Sequence, residues 1–509
     1  MIVLSPRQRG DFQTPTELAR QVWSTIEIGQ YNAIIEPTFG LGSFLKTMPR
    51  TNADVIGWEI DEEYFRLADK TNLRLELKDV FDVTRADIKA DPTSRILVIG
   101  NPPWVTNSEQ SSLGGLNTGA KRNLKSLSGL AAKTGKANYD ISEAIILHLV
   151  RLLEHCELVQ FALLGKFKVL RNLMEFVGKK PGVGNFEFHR IDSKKYFNAA
   201  VDAGLIKFQT GSSLENTQTC TVYGQVAGAE EKRIAIVDNR LIFDVNSYQQ
   251  TAYLEHEGEH CYVWRQGIKH DVQEVMELIE TDSGVLNRLG QVVEVEEELL
   301  YRLYKSSDIY NGRESRFVTP IYQRDLKDNL EDLETRYPKL YKYLSKHKDR
   351  FKDRKSSIYR SKSTFAVFGI GAYTHLPYKV IVAGMYQEPR FKLVGPSPRP
   401  AMPDDTGYML ATDSLAEAIY LLAFLTLDSV HDFLLAISHV GDKRRFSKEV
   451  LSRLRIPSVG DVPDDLLREL VKSWNEQKSF TREQRVRLQT WIENFQPCLT
   501  KHAYQGSLF

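Results

Sequence analysis

The sequence of 509 residues has few cysteines, almost no net charge and no long apolar segment, and each shortage excludes a class of protein. Its four cysteines lie at least 41 positions apart, so no CxxC pair is present to bind zinc or to act as a redox dithiol. We therefore expect free thiols in a reducing compartment and no metal. Because 67 Lys and Arg balance 66 Asp and Glu, any nucleic-acid-binding surface must be local.

Segments that could enter a membrane are also missing. The longest strongly apolar stretch, residues 418–427, is much shorter than the ~20 residues that span a bilayer. Residues 1–12 have none of the apolar core of a signal peptide. These features predict a cytoplasmic protein that contacts no membrane.

What the sequence contains is typical of a globular protein with more than one domain, with 42% hydrophobic and 26% charged residues. Near its start, short apolar runs at residues 33–35, 55–58 and 96–99 alternate with helical patterns at 16–28 and 62–71. This alternation predicts an α/β fold with a doubly wound parallel sheet. After residue 230 short strands mix with charged helices, which predicts a second, α+β domain over 231–455 and a helical tail over 456–509.

The strongest chemical signal follows the apolar run at 96–99, where ligands of open α/β sheets bind. It is the tetrapeptide Asn101-Pro102-Pro103-Trp104. Two successive prolines fix their φ angles and remove two N–H donors, which leaves a stiff turn with an outward carbonyl. The asparagine adds a second acceptor and the tryptophan a flat face, a combination that matches a planar NH2 group. The alternative is a strand-ending turn packed against a core tryptophan.

Three more turns occur at consecutive strand ends. The first contains Gly40 and Gly42, a G-x-G pattern that alone is weak and more often marks a plain turn. Glu59 follows Gly40 by 19 positions, close to the ~20-residue spacing at which an acid binds ribose hydroxyls. Asp79 ends the next expected strand. Each acid alone is typical of a solvated surface, but their order indicates one ligand site.

Together these residues resemble AdoMet-dependent N6-adenine DNA methyltransferases of restriction–modification systems, in the subclass with the cofactor motif first and a target-recognition domain last. The motifs cover residues 11–226. The resemblance implies S-adenosyl-L-methionine (AdoMet) as cofactor without a metal, a Rossmann-like catalytic domain over 1–230 and DNA recognition by 231–455. The implied partners are double-stranded DNA and a cognate restriction endonuclease as a separate protein. The implied location is the cytoplasm of a prokaryote, in association with the nucleoid.

The resemblance also implies roles for single residues. Its cofactor-binding residues are Thr14, Pro15, Glu36, Gly40, Gly42, Glu59, Ile60, Asp79, Val80 and Asn101. Its catalytic residues are Asn101, Pro102, Pro103 and Trp104, with Trp104 and Phe197 stacking on a flipped-out adenine. The chain departs from the family at Gly165-Lys166-Phe167, where many members have a proline-containing turn.

Local charge supplies the candidate DNA contacts. Residues 336–362 contain eleven Lys or Arg and two Asp, a balance of +9, interleaved with aromatic residues. A solvated helix face is the alternative interpretation. The candidate phosphate contacts, including those in a glycine-rich basic loop at 106–136, are Lys121, Arg122, Lys125, Lys346, Lys348, Arg354, Lys355, Arg360, Lys443 and Arg444.

Two other functions stay open at this point. Enzymes with the same tetrapeptide methylate rRNA bases or protein glutamines, although they are typically compact and lack so large a C-terminal region. The chain could also be a DNA-binding specificity or restriction protein whose methyltransferase domain is inactive.

Overall fold

The computed structural model describes residues 12–71, 73–105, 140–256, 258–396, 398–476 and 479–495. The chain divides into two compact units, Met1–Asn246 and Ser247–Phe509. The large sheet of the first unit continues beyond residue 230, the boundary expected from the sequence, because two further strands extend its edge.

The first unit is built on a ten-stranded sheet in the order β10-β9-β8-β6-β7-β5-β4-β1-β2-β3. Its strands are β1 Ala33–Glu36, β2 Asp54–Glu59, β3 Arg74–Leu77, β4 Arg95–Gly100, β5 Leu158–Lys166, β6 Val183–Arg190, β7 Ala203–Thr210, β8 Thr219–Tyr223, β9 Glu230–Val237 and β10 Arg240–Ile242. The described helices are α1 Thr16–Trp23, α2 Ser43–Thr47, α3 Glu62–Leu67, α4 Arg85–Ile88, α5 Ile141–Leu152, α6 Phe167–Phe176 and α7 Ser193–Phe197. The next helix, α8 Val245–Thr251, begins in this unit and ends in the second.

The five strands β3, β2, β1, β4 and β5 run parallel. β1, β4 and β5 carry almost continuous buried apolar residues, as strands covered on both faces do. The predicted α/β, Rossmann-like fold is therefore confirmed. β7 is antiparallel to both β5 and β6, so the sheet is mixed beyond β5.

The second unit contains a four-stranded sheet, a three-stranded sheet and a hairpin, in the orders β11-β19-β16-β17, β15-β14-β18 and β12-β13. Its strands are β11 Arg265–Gln266, β12 Ile279–Thr281, β13 Gly284–Leu286, β14 Leu300–Tyr304, β15 Phe317–Pro320, β16 Tyr378–Ala383, β17 Phe391–Val394, β18 Ala401–Pro403 and β19 Gly407–Thr412. Its described helices are α9 Gln273–Met276, α10 Ser306–Tyr310, α11 Leu333–Arg336, α12 Pro338–Lys346, α13 Lys348–Lys352, α14 Leu415–Leu425, α15 Asp428–Ala436, α16 Lys448–Leu451, α17 Asp464–Asn475 and α18 Arg482–Asn494.

In the part of the chain that the structure describes, no single helix is long and apolar enough to cross a membrane. Among the described helices, α14 and α15 reach that length and composition when taken together, and they meet at a bend of 63°.

Candidate active site

The carboxyl ends of the neighbouring strands β1, β2 and β4 place the predicted cofactor and catalytic turns along one edge of the sheet. After β1 the chain turns through two glycines with positive φ, Gly40 at 54° and Gly42 at 74°. L side chains rarely adopt this conformation, so the turn depends on glycine. The N–H groups of this turn are bonded within the protein, and that of Gly42, for example, donates to the Phe39 carbonyl at 2.7 Å.

Glu59 connects the ends of β1 and β2. Its Oε2 accepts a hydrogen bond of 2.8 Å from the Gly40 backbone N–H. Its Oε1 accepts from the N–H groups of Ile60 and Asp61 at 2.9 and 2.8 Å. Three backbone N–H groups thus fix the Glu59 carboxylate at the end of β2. The next residue, Ile60, leaves 46% of its surface exposed just after β2.

Glu36, the last residue of β1, is buried, and its Oε2 has no hydrogen-bond partner among the described residues. Burial and then the negative charge of Glu59 raise the pKa of Glu36 well above its ordinary value. A buried acceptor without a hydrogen-bond donor destabilises a protein unless a ligand supplies the donor. Glu36 therefore fits a cofactor that brings a cationic N–H donor.

Asp79 lies at the end of β3, where its Oδ1 accepts from the Phe81 N–H at 2.9 Å and begins a short 3-10 helix, Val80–Asp82. The Val80 side chain packs into the hydrophobic core, so a cofactor contact at this position would come from its backbone.

The N-terminal motif contacts both the cofactor turn and the catalytic turn. Gln13 Oε1 accepts from the Leu41 N–H at 2.9 Å, and the Thr14 carbonyl accepts from the Ser43 hydroxyl at 2.6 Å. The Phe12 carbonyl accepts from Asn101 Nδ2 at 2.7 Å. Pro15 precedes α1 directly. The sequence placed Thr14 and Pro15 near the cofactor but gave no signal for the Phe12–Asn101 bond.

Trp104 and Phe197, the predicted stacking residues, lie against each other with ring centroids 5.0 Å apart. Phe12 completes the cluster at 5.4 Å from Trp104 and 5.8 Å from Phe197. Only 3% of Trp104 is exposed, so the alternative of a turn packed on a core tryptophan describes this conformation. A base can reach the Trp104 ring only after a neighbouring ring moves.

Pro102 is buried, whereas Asn101 and Pro103 are half-buried, so the catalytic turn as a whole is not sealed in the core. The backbone following this turn bonds to the start of α5, because Ile141 N–H donates to the Val105 carbonyl at 2.9 Å.

The predicted phosphate contacts differ in their surroundings. Lys346, Lys348, Lys355, Arg360 and Lys443 are exposed. Lys121, Arg122 and Lys125, with the rest of the predicted basic loop, lie outside the described residues.

Arg354 donates to the backbone carbonyls of Phe351, His270, Ala366 and Thr364, and Arg444 bonds to the Asp405 carbonyl and carboxylate. Because these guanidinium groups are already bonded to oxygens of the same unit, neither arginine is favoured as a phosphate contact.

One face of α12 carries the exposed residues Lys339, Lys342 and Lys346, at the spacing of one side of a helix. They form no ion pair with a described residue, and Leu340 and Leu344 occupy the buried side. We call these three residues the α12 lysines. Among the described residues, no His, Cys, Asp or Glu group is arranged to hold a metal ion.

Comparison with known proteins identifies the family. No protein-family profile matches the chain. The sequence is 32% identical over 474 residues to the type II methyltransferase M.NspV from Nostoc sp., covering 89% of this chain and 97% of that protein. The solved structure of the type IIL restriction–modification enzyme MmeI in complex with DNA matches with a TM-score of 0.54 and 12% identity, over 94% of this chain and 70% of that chain. MmeI supports the fold, while the identity to M.NspV extends along nearly all of both chains. This chain therefore belongs to the DNA methyltransferases of type II restriction–modification systems.

Proposed function

We propose that the protein transfers a methyl group from AdoMet to the N6 atom of an adenine in double-stranded DNA. The Asn101 side chain carries the proposal. Its Nδ2 is bonded to the Phe12 carbonyl at 2.7 Å, whereas no described donor bonds to its Oδ1 or to the Pro102 carbonyl. The bond fixes the amide orientation, so the oxygen acceptors of these two successive residues stay available.

Two acceptors suit an exocyclic amine, which has two hydrogens. Hydrogen bonds from N6 to Asn101 Oδ1 and to the Pro102 carbonyl would draw the nitrogen lone pair out of conjugation with the ring. The rigid proline turn holds these oxygens in place before the substrate arrives. Alignment of reactants by such a site supplies about 7–11 kcal/mol of the barrier reduction.

The residues around the cofactor turn fit AdoMet. Bound there, AdoMet supplies an electrophilic methyl group on a sulfonium. Glu36 would pair with the ammonium of the methionine part, Glu59 would accept from the ribose hydroxyls, and Ile60 would cover the adenine. Asp79 would accept from the adenine amino group. The buried Oε2 of Glu36, which has no partner among the described residues, is the structural feature that favours a cationic ligand.

The target adenine must leave the DNA duplex to reach the acceptors, and unstacking it costs a few kcal/mol. Stacking on an aromatic ring recovers about 1–3 kcal/mol per contact. Because Trp104 is covered in this structure, base entry requires the Phe12 or Phe197 ring to rotate away. The flipped base would then replace that ring against Trp104.

We assign DNA recognition to the second unit, where the α12 lysines and the exposed Lys348, Lys355 and Arg360 provide positive charge that no described acid pairs with. A cognate restriction endonuclease would act as a separate protein on unmodified copies of the same site.

The decisive experiment sequences DNA for N6-methyladenine from hosts that express the wild type, Asn101→Ala or the control Asn52→Ala. Asn52 is exposed and lies outside the site. We expect one sequence motif to be methylated by the wild type and the control but not by Asn101→Ala. An unmethylated wild-type genome would refute the proposed substrate and direct the search to rRNA and protein glutamine. Methylation by Asn101→Ala would refute the acceptor role.

A further inference from the structure

Lys166 ends β5 and lies between the catalytic turn and the start of α5. Its ammonium donates to the Trp104 carbonyl oxygen at 2.7 Å and to Asp140 Oδ2 at 2.8 Å. The Lys166 side chain is 22% exposed and that of Asp140 only 8%. Hydrogen bonds of charged groups in such partly buried places are short and stronger than neutral ones.

The Asp140 carboxylate is itself fixed by the helix that follows it. Its Oδ1 accepts from the Ser142 hydroxyl at 2.7 Å and from the Ser142 N–H at 3.2 Å, so it caps the start of α5. Both carboxylate oxygens are therefore used, one by the helix and one by Lys166. The ammonium is held on a rigid support, not on a flexible surface side chain.

Trp104 is bound to β5 at two points. Its indole Nε1 donates to the Leu164 carbonyl at 3.3 Å, and its own carbonyl accepts from Lys166. The prolines at 102 and 103 fix their own φ angles, but they do not fix the backbone of the residue that follows them. The two bonds to β5 therefore set the direction of the Trp104 ring.

We propose that Lys166, supported by Asp140, is a positioning residue that holds the catalytic turn and the Trp104 ring in the geometry needed for methyl transfer. The inference rests on the proposed function, since it assigns Trp104 to the target base. Because Lys166 and Asp140 neutralise one another, the pair adds no net charge near N6, where positive charge develops during transfer.

The test compares Lys166→Met, which keeps the aliphatic stem, with Lys168→Met. Lys168 is an exposed lysine two positions along, outside the site. We expect Lys166→Met to lower kcat for DNA methylation roughly 10- to 100-fold, with the Kd for AdoMet changed less than about 2-fold. Lys168→Met should match the wild type. A role in stability alone would lower the amount of active enzyme and the melting temperature, but not kcat per folded site.

A second measurement needs no substrate. Full-length protein labelled with 5-fluorotryptophan is examined by 19F NMR, and the Trp104 resonance is assigned with Trp104→Tyr. Lys166→Met should shift or broaden this resonance alone, and Lys168→Met should leave it unchanged. If Lys166→Met does not fold, Lys166→Arg, which moves the donors, is measured in the same way and should show the same change.

The outcomes separate the two proposals. An unmethylated DNA substrate with wild-type enzyme refutes the proposed function, while the Trp104 resonance still tests whether Lys166 positions the turn. Active wild-type enzyme with an unchanged kcat and an unchanged Trp104 resonance in Lys166→Met overturns the positioning role alone.

Discussion

Replacing Glu36 with glutamine tests whether the buried carboxylate is built for a cationic ligand. Glu36 is 2% exposed, and one of its oxygens has no described partner. A hydrogen bond between charged partners in such a site is worth about 1.5–3 kcal/mol. Glu36→Gln is the same size but carries no charge, so it should weaken AdoMet binding about 10- to 150-fold.

The direction of the pH dependence follows from the raised pKa of Glu36. The ligand-free protein favours the protonated acid, whereas a bound ammonium favours the carboxylate, so binding releases a proton and tightens as pH rises. Between the ordinary and the raised pKa the native state binds more protons than the unfolded state, so stability falls with rising pH. Glutamine does not ionise, so Glu36→Gln keeps its stability over this pH range. Its melting temperature should therefore exceed that of the wild type increasingly as pH rises.

Isothermal titration calorimetry in two buffers of different ionisation enthalpy measures both the Kd and the proton release. Glu187→Gln is the matched control. Burial raises the pKa of Glu187, but hydrogen bonds from His189 and Lys207 outweigh it and lower the pKa to about 2. This variant should lose stability at neutral pH and bind AdoMet normally. An unchanged Kd and unchanged proton release in Glu36→Gln would refute the assignment.

Three further predictions concern stability, the cofactor turn and DNA binding. Burial lowers the pKa of Lys379 to about 8, whereas its ammonium donates to the Leu376 carbonyl at 2.6 Å. Lys379→Met removes the buried charge and this bond, so it should raise the free energy of unfolding by less than about 3 kcal/mol at pH 7 in urea titrations, a gain that shrinks towards pH 10. At Gly40 the φ angle is 54°, and an added Cβ would lie 2.7 Å from Gln13 Oε1, so Gly40→Ala should weaken AdoMet binding about 10-fold in calorimetry. Gly29→Ala should leave the binding unchanged, because a Cβ at Gly29 meets open space. Replacing the α12 lysines by glutamine should reduce the slope of log K against log salt for duplex DNA by up to about 3, and an unchanged slope would exclude them as phosphate contacts.

Local sequence patterns were sufficient for the parallel half of the sheet. The apolar runs at 33–35, 55–58 and 96–99 became β1, β2 and β4 because strands buried on both faces must be apolar throughout. The same patterns did not give β6 or β10, nor the reversed direction of β7. Strand order and direction depend on partners distant in sequence, which no short window contains.

In the candidate site, too, the sequence gives the local motifs but not the contacts between residues distant in sequence. Motif residues at strand ends could be read directly, because the turn chemistry is local. The Phe12–Asn101 bond joins residues 89 positions apart, and the Lys166–Trp104 bond joins residues 62 apart, so neither leaves a local pattern. Arg354 shows the opposite case: composition placed it in a basic surface, yet its guanidinium serves backbone carbonyls.

Phe12 obstructs the target base and also orients the acceptor that would bind it. The two roles rest on different atoms, since the carbonyl bonds Asn101 while the ring covers Trp104. Rotation about the side-chain torsions moves the ring without moving the backbone. The ring of Phe12 can therefore leave Trp104 while the Asn101 amide stays fixed. The closed aromatic cluster is thus compatible with base entry, and the acceptors keep their geometry when the base arrives.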